Sequence, residues 1–115
     1  MFGSFMNMAG DQTRSEVPEI GMGATLLMWT DRKAGTIIEV SQNGKTVKWQ
    51  RDRATRADSN GMSDAQSYTY ERKLDGKIET FTLRKNGRWK RVGDPMNGSE
   101  TLLIGTRDEY YDYSF

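Results

Sequence analysis

The chain of 115 residues contains no cysteine and no histidine. The first absence excludes disulfides and thiolate metal sites, and it fits a reducing cytoplasm. The second removes the usual general base near neutral pH, the Ser-His and Cys-His nucleophile pairs and the commonest metal ligand. Little is left from which to build an active site, a zinc site or a haem site. The expectation is therefore a protein that binds and does not catalyse, with no cofactor and no metal. No apolar run approaches the roughly 20 residues that span a bilayer, so no membrane partner is expected. Residues 1–19 lack a basic start followed by a continuous apolar core; they read as a flexible N-terminal arm and not as a signal peptide. No segment sustains a helical period over ten residues.

What is present is turn chemistry. With 29% of the residues charged and 35% hydrophobic, residues 20–115 have material for one compact domain. A domain of this size buries a modest fraction of its surface, and self-association would be a useful source of stability. Asn43-Gly44 is a strong hairpin signal. A two-residue loop there pairs Val40 with Val47 and Ile38 with Trp49 on one face, and Glu39 with Lys48 on the other. Asp75-Gly76 treated alike pairs Tyr70 with Phe81, Tyr68 with Leu83 and Arg72 with Glu79. At Asn86-Gly87 a strict two-residue loop would turn Trp89 away from Phe81, so either a glycine bulge lengthens the loop or Trp89 lies outside the core. Segments 24–30 and 101–105 are further short strands, and 53–65 reads as a long polar loop. The fold class is all-β: a small antiparallel SH3-like barrel of five to six strands, which buries one face and manages its edges. An open curved sheet is the alternative. Trp29 and Trp49 are assigned to the core.

Two segments carry candidate binding chemistry. Residues 84–91 hold five cations and no acid. Arg84, Lys85, Arg88, Lys90 and Arg91 with the ring of Trp89 make a tip that could neutralise phosphates and stack on a base. Arg51, Arg53 and Arg56 could extend the patch. In the competing reading Trp89 is core and the cations protect a strand edge. The other segment is the acidic-aromatic tail, where Asp108, Glu109, Tyr110 and Asp112 offer a protein-binding strand. Its competing reading is a last edge strand with Tyr111 and Tyr113 facing inward. The acid pairs, such as Asp58 with Asp64, read as solvated surface.

The segments Gly21-Met22-Gly23-Ala24-Thr25, Gln50-Arg51-Asp52, Gly61-Met62-Ser63, Leu83-Arg84-Lys85-Asn86-Gly87-Arg88-Trp89 and Ile104-Gly105-Thr106-Arg107-Asp108-Glu109-Tyr110-Tyr111 resemble a family of small, uncharacterised phage and mobile-element proteins. The resemblance covers residues 17–115. It implies a phage or plasmid setting in a host cytoplasm and assigns no activity and no site residue. By association it brings in inhibitors of host defence such as anti-CRISPR proteins. Three functions follow as expectations. The leading one is binding of nucleic acid, or of a host nucleic-acid-processing machine, through the basic surface. The second is a protein-directed inhibitor acting through the acidic tail. The third is a sponge for an anionic small molecule, held in a pocket between protomers.

Overall fold

The computed structural model describes residues 16–63 and 65–112. Six strands form a closed barrel: β1 (Gly23–Leu27), β2 (Arg32–Val40), β3 (Thr46–Arg51), β6 (Ile78–Leu83), β7 (Trp89–Arg91) and β8 (Thr101–Ile104). Each is antiparallel to its neighbours, and β8 returns to pair with β1, so the barrel has no free edge. β4 (Arg53–Arg56) and β5 (Tyr68–Glu71) form a separate two-stranded sheet inserted between β3 and β6. The expected small closed antiparallel barrel is what the chain forms. No strand is replaced by helix among the described residues, and no helix there is long and apolar enough to cross a membrane.

The period-2 alternation of the strands fills the interior. Ala24, Leu26, Ile37, Val47, Trp49, Phe81, Trp89, Leu102 and Ile104 make one buried cluster. Trp49 and Phe81 meet edge to face at 6.1 Å. The Trp49 indole N–H donates to the Ala24 carbonyl at 3.0 Å. To do so it passes over Gly35, where a side-chain carbon would lie only 2.2 Å from Nε1.

The first hairpin keeps most of its expected register. Val40 faces Val47, and Glu39 faces Lys48 with an ion pair at 3.7 Å. A β-bulge then intervenes, so Ile37 and not Ile38 opposes Trp49. The turn also differs: Gly44 N–H donates to the Ser41 carbonyl, and only Gly44 takes positive φ, whereas a two-residue type I′ turn needs it at both positions.

The second expected hairpin is corrected. Tyr70 pairs with Ala54 and Tyr68 with Arg56, while Phe81 lies between Val47 and Arg91. Asp75-Gly76 does turn the chain, but from the small sheet into the barrel. Gly76 packs directly on the Arg51 carbonyl, and the Gln50 side-chain amide donates to the carbonyls of Leu74 and Gly76. These contacts present β6 to β3 in place of β5. The loop expected over 53–65 accordingly begins as β4.

At the third turn the glycine-bulge alternative holds. Gly87 adopts φ 84°, Leu83 pairs with Trp89, and Trp89 is 3% exposed within the core. The expected N-terminal arm lies, for residues 1–15, outside the described residues. Glu16 N–H already donates to the Ile104 carbonyl.

Candidate functional site

Extending the inward alternation past the hydrophobic cluster leads, at one end of the barrel, to charged residues. That end joins the finish of β1, β3 and β7 to the start of β2, β6 and β8. Leu26 is paired with Lys33, so both point inward; Arg51 follows Trp49 by two residues, and Lys77 lies two before Glu79. Arg91 is paired with the inward Phe81. Together with Met28 and Glu100 these residues line a recess of about 520 Å³ whose floor is Leu26 and Trp49.

Four cations and two carboxylates line this mouth. Arg91 holds both acids: its Nε donates to Glu79, and one terminal nitrogen reaches Glu100 at 2.9 Å and Asp94 at 3.3 Å. Arg51 is held from outside the recess. Its two terminal nitrogens donate to the two oxygens of Glu109 at 2.9 and 2.8 Å, and Nη1 also reaches the Ala34 carbonyl. Glu109 in turn accepts the Ala34 N–H. Lys33 and Lys77 have no carboxylate partner among the described residues. Lys33 on β2 and Lys77 immediately before β6 flank Arg51 of β3, so these two cations gather on one side of the mouth while Arg91 meets its three acids on the other.

The basic tip is not the free patch its sequence suggests. Arg84 donates to the carbonyls of Asp94 and Arg91, and Arg91 is held by three acids. Lys90 is 2% exposed, with its ammonium donating to the carbonyls of Gly98 and Glu100. Burial pushes its pKa below the ordinary lysine value. Trp89 is core. Within the tip, Lys85 and Arg88 alone are exposed without an ion pair to a described residue, and they lie at the opposite end of the barrel from the charged mouth. Among the residues expected to extend the patch, Arg51 belongs to the mouth, Arg53 is exposed on β4, and Arg56 is paired with Asp58. Arg56 and the backbone N–H groups of Ser67 and Asn60 hold the Asp58 carboxyl well below its usual range. Asp58 thus organises the 57–67 loop and is not merely solvated surface; Asp64 lies outside the described residues.

The acidic tail turns back on its own barrel. Arg107 donates to Asp52, a carboxylate 3% exposed that also accepts the Thr36 hydroxyl. Asp108 pairs with Arg32, Glu109 with Arg51, and Tyr110 bridges to Arg32 through two backbone hydrogen bonds. Tyr111 exchanges hydrogen bonds with the Gln66 amide, and Asp112 N–H donates to Asp31. The expected edge strand with Tyr111 inward is therefore corrected: β8 and β1 already close the barrel, and Tyr111 is 52% exposed. Tyr113 lies outside the described residues.

Trp29, expected in the core, is 79% exposed on the turn between β1 and β2. The sequence reading missed Lys33, Lys77, Glu79 and Glu100. The inward alternation, continued one step beyond the apolar residues of each strand, was the signal that could have found them. No group of three or more metal-ligating side chains gathers among the described residues. No family model matches this chain, and no curated protein or solved structure matches it either.

Proposed function

We propose that the chain is a non-enzymatic binding domain whose charged barrel mouth takes a small anion or the anionic end of a larger ligand. One observation carries this reading: Lys33 and Lys77, uncompensated, flank Arg51 at the rim of an apolar-floored recess. Barrel mouths are common ligand sites because the strands deliver side chains from several directions to one place. The anionic partner expected from the basic runs is kept, but it moves from the 84–91 tip to the opposite end. The recess belongs to one chain, whereas the expected anion pocket lay between protomers. The tail is a weaker candidate for protein binding, since Asp108 and Glu109 are engaged with Arg32 and Arg51. We place the binding in the reducing cytoplasm of a phage host, on the strength of the cysteine-free composition and the sequence resemblance.

Calorimetric titration with pyrophosphate tests the proposal. Binding should weaken as salt is raised. The Lys33→Glu/Lys77→Glu variant should lose it, and Lys85→Glu/Arg88→Glu should retain it. The reverse pattern would return the site to the basic tip.

A further inference from the structure

The turn between β1 and β2, at the mouth end of the barrel, carries a feature that charge does not explain. Trp29 exposes 79% of its surface, although large aromatic residues ordinarily gain most from burial. Its turn is nevertheless held firmly. Met28 N–H donates to the Asp31 carbonyl at 2.9 Å, and Asp31 Oδ1 accepts the Asp112 N–H at 2.9 Å. Arg32 and Tyr110 exchange backbone hydrogen bonds at 2.9 and 3.0 Å. The flanks of this turn, Met28 and Lys33, both line the recess. An indole on a braced turn thus stands one residue in sequence from the wall of a mouth that carries two lysines without carboxylate partners among the described residues.

We infer that the ligand of this mouth is a nucleobase-bearing phosphate, its phosphate held by Lys33, Lys77 and Arg51 and its base stacked on Trp29. The inference rests on the anion-binding reading above and adds the ligand class. Cations beside an exposed ring are the arrangement that captures nucleotides without base-specific hydrogen bonds. The bracing removes much of the ordering cost that a mobile ring would incur on binding. A recess of about 520 Å³ has room for a nucleotide's sugar and phosphate. A free nucleotide and the end of a single strand share this chemistry.

Tryptophan fluorescence tests it, because Trp49 and Trp89 are buried and Trp29 alone of the three is exposed. The probes are AMP, ribose 5-phosphate, pyrophosphate and a 5′-phosphorylated ten-residue deoxyadenylate strand. AMP should quench the exposed component and bind more tightly than ribose 5-phosphate by about tenfold to a hundredfold, the range that stacking on one ring provides. Trp29→Ala should remove that advantage while pyrophosphate binding and melting temperature stay unchanged, and Trp29→Phe should keep most of it. Tighter binding of the strand than of AMP identifies a strand end, and equal binding identifies the free nucleotide; both support the inference. Equal affinities for AMP and ribose 5-phosphate would overturn it, as would equal losses of AMP and pyrophosphate binding in Trp29→Ala. A protein partner lost in Trp29→Ala, with AMP binding intact, would also overturn it. Failure of pyrophosphate to bind the native protein defeats the mouth reading itself, and with it this one.

Discussion

Replacing Gly35 with alanine should be among the most damaging single-methyl additions the barrel can receive. The new carbon would stand 2.2 Å from Trp49 Nε1, 2.3 Å from Cε2 and 2.6 Å from the Gln50 carbonyl oxygen. Ordinary contact begins near ~3.5 Å, so the indole must retreat by more than about 1 Å. It has no open space to enter, being 1% exposed and wedged against Phe81. Retreat also takes its N–H away from the Ala24 carbonyl. Overpacking costs about 1–3 kcal/mol and a stranded buried donor a further ~1–3 kcal/mol. The expected loss is about 2–6 kcal/mol, a large part of the roughly 5–15 kcal/mol that a domain possesses. At about 4–8 °C per kcal/mol, the melting temperature should fall by at least about 8 °C. Urea denaturation followed by circular dichroism measures the loss. Combining the change with Trp49→Phe supplies the control, because a phenyl ring lacks the atoms that clash. The double variant should be more stable than the sum of the two losses predicts, by ~1 kcal/mol or more. A loss for Gly35→Ala below about 1 kcal/mol, or strict additivity, would refute this account of the barrel floor.

Asp52→Ala should destabilise by about 2 kcal/mol in the same assay, because it removes the buried acceptor of the Thr36 hydroxyl and the charge partner of Arg107, which keeps only its hydrogen bond to the Thr36 oxygen. Glu109→Gln should cost less, about 1 kcal/mol, since Arg51 retains the Ala34 carbonyl and partial exposure screens the pair. Tyr111→Ala should lower the melting temperature far less than Asp52→Ala, because about half of the residue is exposed. Lys90 gives a pH signature. Its folded pKa lies below the ordinary value of 10.5, so between the two the unfolded chain binds more protons. Stability should therefore rise with pH across that window, and the rise should be absent from Lys90→Met in pH-dependent thermal melts.

The first hairpin was legible because two independent patterns agreed on one register: apolar residues met on one face and Glu39 met Lys48 on the other. The second was misread although its turn was real. Tyr68 and Tyr70 alternate correctly for any partner strand, and the choice between β6 and β4 depends on Gly76 fitting against the Arg51 carbonyl, a contact between distant positions. The basic run misled for a related reason. Its cations lack acids nearby in sequence, yet Arg91 finds Glu79 and Glu100 through strand pairing, and Lys90 finds carbonyls in the following loop. The mouth was the least legible part. Its lining comes one or two residues at a time from five strands and the turns that follow or precede them, and no local window contains it. Trp29 failed as a core assignment because residue type alone says nothing of where a turn places its apex.

Closing β1 onto β8 carries a consequence for how the chain reaches this state. The pairs Ala24 with Ile104 and Leu26 with Leu102 join positions far apart in the sequence, whereas the hairpins join neighbours. The hairpins can assemble early and locally, but the seam must wait until every intervening segment is in place, which makes folding slow relative to helical domains. Until then β1 and β8 are two unpaired edges with apolar inner faces, the kind of surface that recruits other chains. Synthesis from the N-terminus prolongs that exposure, because β8 is the last barrel strand to emerge. Variants that leave the finished barrel intact but weaken the seam should therefore show themselves first as poor yield and aggregation during expression, before any change in the purified protein.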